Sequence, residues 1–130
     1  MKRLAVLAVS LAACLPISAR AAVAIVAVPG SYTVTYATPV VAYAGVAPLN
    51  FVNADIQEHD VVSDDTRAPG SAPWCPAHGP RCPLFFAPSA ATGQTTVVQG
   101  LEGVPTGTYL FRCTPHAWMT ATLVVARPAG

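Results

Sequence analysis

Charge is what this 130-residue chain has least of: Asp, Glu, Lys and Arg together make up 10% of it. There is one lysine, Lys2, and past residue 21 the only cationic side chains are Arg67, Arg81, Arg112 and Arg127. A nucleic-acid surface needs a concentrated basic footprint, and these four arginines do not supply one. Histidine is as sparse, limited to His59, His78 and His116. Long helix-forming blocks, coiled-coil heptads and internal repeats are missing. The chain is instead rich in Val, Ala, Thr, Pro and Gly, a composition that favours strands and turns. Its length is that of one domain. The mean hydropathy of +0.49 owes much to the first 28 residues rather than to the body of the chain.

That N-terminal region begins Met1-Lys2-Arg3 and continues in a short apolar run, the pattern of a secretory signal peptide. Ala19-Arg20-Ala21 offers a small-x-small cleavage site, so residues 1–21 are expected to be the signal and 22–130 the folded domain. A competing pattern, Leu11-Ala12-Ala13-Cys14, looks like a lipobox and would make Cys14 a lipidated N-terminus. Either route exports the domain, to the periplasm or the cell exterior, with a membrane tether only in the second case. The exported chain then has four arginines against six carboxylates, a net charge of −2. Five of those carboxylates fall between Asp55 and Asp65: Asp55, Glu58, Asp60, Asp64 and Asp65. They read as a solvated loop or as an acidic patch that steers a basic partner.

Short alternating runs bounded by turn residues follow. Residues 22–28 are either the tail of the export signal or a buried strand. Tyr32–Tyr36, Pro39–Tyr43, Pro48–Asn53, Thr95–Val98, Thr108–Cys113 and Thr120–Ala126 read as strands, as in a sandwich or barrel. Tyr109, Phe111 and Cys113 share one face of theirs. Residues 63–92 are dense in Pro and Gly, which exclude a helix or a central strand, and read as a long ordered loop insertion. Within it, Cys75 and Cys82 most simply form a disulfide in an exported protein. The spacing Cys75-x2-His78-x3-Cys82 leaves a second metal site open, although a structural zinc site wants four protein ligands and no fourth is evident.

The chemistry concentrates in Cys113-Thr114-Pro115-His116-Ala117-Trp118-Met119, where thiolate, imidazole and thioether sit on one tight loop between two strands. Alone, a Cys in a strand is a small core residue, a Met is filler, and a His is satisfied locally. Together at this spacing they are a ligand set. Soft sulfur with imidazole favours copper over magnesium, calcium or manganese, and one Cys with two His and a weak axial Met is the blue-copper arrangement. The second imidazole must come from elsewhere. His59, just past the apolar run Leu49–Val52, is the better candidate, at what reads as the end of a strand. No nucleophile–base pair is found, so catalytic residues are expected to be none.

The loop Cys113-Thr114-Pro115-His116-x-x-Met119 and the segment Leu49–Val61 resemble the cupredoxins, the small blue copper proteins, with a ligand loop similar to that of amicyanin. The resemblance covers about Tyr32 to Val125. It implies a Greek-key β-sandwich with one type 1 copper held by His59, Cys113, His116 and Met119. It implies a monomeric one-electron carrier that meets redox partner proteins around His116 and Trp118. Copper enzymes that reuse the fold need further centres with several more His, which this chain lacks. A copper delivery or storage protein is the alternative, and an adhesive domain without metal is a weaker one. In the family the residue after the first His is usually Asn and ties the two ligand loops together. Here it is Asp60, which puts that bracing in doubt.

Overall fold

The structure, a computed structural model, describes residues 24–33 and 35–128. The proposed signal segment and Cys14 lie outside the described residues. The described residues form ten strands: β1 (Ala24–Ala27), β2 (Val40–Tyr43), β3 (Asn50–Asn53), β4 (His59–Ser63), β5 (Thr66–Arg67), β6 (Cys82–Pro83), β7 (Phe86–Ala90), β8 (Thr95–Val97), β9 (Gly107–Arg112) and β10 (Thr120–Val125). No α-helix occurs among the described residues, so none there is long and apolar enough to cross a membrane.

Two sheets carry the fold. One has the order β1-β3-β8 and the other β2-β10-β9-β4-β7, with β5-β6 as a small separate ribbon. β1 runs parallel to β3 and β2 parallel to β10; the other pairs are antiparallel. Strand sequences alternate because one face of each packs inward. Thus Ile25 and Ala27 of β1, Phe51 of β3, Val61 of β4, Phe111 of β9 and Leu123 and Val125 of β10 are all buried in one core. Through that core Tyr36 meets Phe51, and Phe85 meets Phe111, edge to face, the arrangement aromatic quadrupoles favour, while Tyr36 meets Phe111 with tilted rings. The molecule is a β-sandwich closed at one side by a bridge between Phe86 and Gln99.

Three expectations need correction. The described residues of the expected strand Tyr32–Tyr36 are not strand. Gly30 turns the chain with φ 88°, Ser31 N–H donates to Val28 O and Val28 N–H to Ser31 Oγ, and a 3-10 turn follows over Ser31–Thr33. The alternation misled because Tyr32 and Tyr36 leave the turn for different neighbours. His59 does not end the strand of Phe51. It opens a new one, β4, after a loop over residues 54–58. Finally, residues 63–92 are not all loop: the span holds β5, β6 and β7. The strand β7 tolerates Pro88 because it lies at the sheet edge, where a missing N–H breaks no ladder. Of residues 22–28, Ala24–Ala27 form the buried strand.

The disulfide is as expected, Cys75–Cys82 with Cα atoms 5.9 Å apart. With both sulfurs bonded to each other, neither is a thiolate for metal, so the Cys75/His78/Cys82 metal site is excluded; His78 is exposed beside it. The Arg67 guanidinium lies over the Trp74 ring at 4.9 Å, and Trp74 packs on Phe86, so the braced loop is pinned to the sandwich.

Candidate metal centre

The hairpin of β9 and β10 delivers most of the site. Its ladder runs from Val125 opposite Gly107 to Thr120 opposite Arg112. Beyond it Cys113 N–H donates to Met119 O at 3.0 Å, and Met119 N–H to His116 O at 2.7 Å. The loop between the strands is therefore closed by its own backbone. Cys113 and Met119 are fully buried, while His116 is partly exposed.

His59 arrives from β4, where inward positions alternate as His59, Val61 and Ser63. Its approach is fixed by the preceding loop. Asp55 N–H donates to Asn53 Oδ1 at 2.9 Å, a local side-chain turn. Asn53 Nδ2 donates to Gln57 O and to Ala90 O, both at 2.7 Å. These bonds tie the loop to β7.

The structure brings His59, Cys113 and His116 together. Cys113 Sγ lies 3.6 Å from Nδ1 of each histidine, and the two Nδ1 atoms are 3.2 Å apart. A point about 2.0 Å from all three atoms lies in their plane, close to the bond lengths of about 2.0–2.1 Å to imidazole and about 2.3 Å to thiolate that borderline metals such as zinc adopt. The three donor atoms are thus spaced for one ion. Met119 lies buried at the hairpin that carries two of them.

Burial pushes the Cys113 thiol up to about 11; the Asp60 backbone N–H pulls it down, while the Asp60 charge pushes it back up. At neutral pH the sulfur is then a thiol, and a metal ion binding there would have to displace that proton. The doubted brace between ligand loops exists: Asp60 Oδ1 accepts the Thr114 N–H at 2.6 Å. A carboxylate serves here because the bond needs an acceptor, not a donor. Tyr36 adds a second tie by donating its OH to Asp60 O at 2.6 Å.

The acidic patch does not survive as one. Asp55 is buried and pairs with His59, with Oδ2 2.8 Å from Nε2. Asp60 braces Thr114, and Asp64 takes a two-pronged bond from Arg112. Only Glu58 and Asp65 remain as exposed carboxylates of the group without an ion pair among the described residues. Asp55 is the site residue the sequence reading misplaced. Its signal was weak: an acid four residues before the candidate His, outside any helix.

His116 is not bare. The Tyr32 ring lies 6.1 Å from it and the Trp118 ring 5.8 Å, the latter edge to face. Trp118 Nε1–H donates to Tyr32 O, which fixes an indole that is 61% exposed.

No family model matches the chain, and no curated protein matches it. Solved structures do. A purple cupredoxin from Nitrosopumilus maritimus is 21% identical, with a TM-score of 0.59, over 80% of this chain and 99% of that one. Amicyanin from Paracoccus versutus (Thiobacillus versutus) is 19% identical, with a TM-score of 0.51, over 87% and 86%. A methionine-to-alanine variant of amicyanin in its Cu(I) form is 18% identical, with a TM-score of 0.50, over 80% and 81%. The sandwich, its strand pairing and these likenesses establish that the chain has a cupredoxin-like fold.

Proposed function

We propose that this is an exported type 1 copper protein that carries single electrons between redox partners and catalyses no bond chemistry. The observation that carries the reading is the spacing of His59 Nδ1, Cys113 Sγ and His116 Nδ1, three mutually compatible donors around one ion-sized point. Met119, buried on the same hairpin, would supply a thioether as the fourth donor. Copper bound there would supply a one-electron couple, which thiolate, imidazole and thioether suit in both oxidation states. The chain's own part is to hold the donors still. The β9–β10 hairpin fixes Cys113, His116 and Met119, while Asp60 ties His59's strand to Thr114. Little then moves when an electron passes.

Partners would meet the protein as a monomer at the partly exposed His116 and the indole of Trp118. Export follows from the N-terminal pattern, free or tethered through Cys14. An intense visible thiolate-to-Cu(II) band with a narrow EPR hyperfine pattern is expected from the copper-loaded protein, and a Cys113→Ala variant is expected to lose both. A colourless wild type, or a variant that keeps the band, ends this reading. A copper delivery or storage role is the alternative, and a protein that binds Cu(I) tightly yet stays colourless with Cu(II) would favour it.

A further inference from the structure

Asp55 is a charged side chain that the donor triangle does not account for. It is 0% exposed. Its Oδ1 accepts the N–H of Ile56 at 2.7 Å and of Gly30 at 3.3 Å, and its Oδ2 lies 2.8 Å from His59 Nε2. Two backbone N–H groups and the His59 ring thus converge on it, a setting that favours the carboxylate form. Among the described residues no arginine pairs with it; its ion-pairing neighbour is the His59 imidazole alone. Withdrawing a carboxylate from water is costly, and a hydrogen bond to an imidazole returns only part of that cost.

A cation on the far side of the ring would complete the balance. Because Nε2–H donates to Asp55, the lone pair of His59 is left on Nδ1, the atom that faces Cys113 and His116. We propose that Asp55 is a positioning residue of the metal centre: it fixes the metal-binding tautomer of His59 and, through its charge, biases the ion toward its oxidised state. This rests on the copper reading above. The thiolate of Cys113 and the carboxylate of Asp55 together offset the two charges of Cu(II). One electron from a reduced partner or an inorganic reductant gives Cu(I) and leaves one negative charge uncompensated in a buried site. The pair therefore favours Cu(II) and lowers the reduction potential, while no bond is made or broken.

The test is a redox titration of copper-loaded wild type, Asp55→Asn and Glu58→Gln, each with its optical spectrum. Asn keeps the shape and an acceptor for Nε2–H but not the charge; Glu58 is an exposed carboxylate on the same loop. We expect Asp55→Asn to keep the visible band and to shift the Cu(II)/Cu(I) balance at least tenfold toward Cu(I), about 59 mV for a one-electron couple, with Glu58→Gln moving much less. An Asn variant that moves no further than the Gln variant overturns the inference while the blue band keeps the copper reading alive. A colourless wild type overturns both. Nitrogen NMR of the Cu(I)-loaded wild type needs no variant: Nε2 protonated and Nδ1 metal-bound supports the inference, and the reverse overturns it.

Discussion

Asp60 shows how a single acceptor joins two segments that are distant in the chain. Its Oδ1 takes the Thr114 N–H, and its carbonyl takes the Tyr36 hydroxyl. Hydrogen bonds to a charged group contribute about 1.5–3 kcal/mol. Asp60→Ala is expected to cost about that much in urea unfolding of the metal-free protein, and Asp60→Asn less, since an amide oxygen still accepts. Tyr36→Phe removes a neutral bond and is expected to cost about 1 kcal/mol. The Tyr36 phenol stays protonated, because burial and then the nearby Cys113 and Asp60 charges push it above its ordinary range. Cys113 titrates as a thiol with a pKa of about 11. Copper loading at neutral pH should therefore release about one proton per chain from it, measurable in weakly buffered solution. Cys113 and His116 were legible because only two residues separate them on one loop. Asp55 was not, because its partner meets it only after Asn53 has bent the backbone.

At the scale of elements, the β9–β10 hairpin was readable from its alternation. The edge strand β7 was not, since Pro88 and the surrounding prolines mask a strand that needs hydrogen bonds on one side only. The disulfide ring spans a separation of 7 residues; by chain-entropy arguments a ring this short contributes about 2–3 kcal/mol. Replacing Cys75 and Cys82 by Ser together is expected to lower stability by about that amount and to leave the copper band unchanged, because neither residue is a donor. Denaturation and optical spectra of the double variant check both halves. Gly100, with φ 92°, packs against the same loop: a Cβ there would meet Leu84 O at 2.7 Å and the Trp74 ring at 2.8 Å. Gly100→Ala should thus loosen the Trp74 contact and raise proteolysis of the braced loop.

Over the whole molecule, stability should respond to acid and to metal. Hydrogen bonds from Arg112, more than its charge, hold the Asp64 carboxyl below its ordinary range. A depressed folded pKa adds stability above the unfolded value near 3.8, and that contribution is lost as pH falls through the folded value. Asp64→Asn should therefore lower stability slightly at neutral pH, since the pair is partly exposed, leave it unchanged below the folded value, and so flatten the acid limb by the same small amount. Metal that binds only the folded chain should raise Tm with concentration, by an amount equivalent to about 2.7 kcal/mol at a hundredfold excess over Kd; a chelator should reverse it.

Local order along the chain was enough to indicate the strand-rich class, to gather Cys113, His116 and Met119 on one short loop and to favour the pairing of Cys75 with Cys82, because each depends on residues close in sequence. Folding alone decided the start of β4 at His59, the burial of Asp55 beneath it, the dispersal of the acidic cluster into separate bonds and the aromatic cover of His116. Those are contacts between segments dozens of residues apart, and periodicity carries no information about which distant segment a side chain will meet.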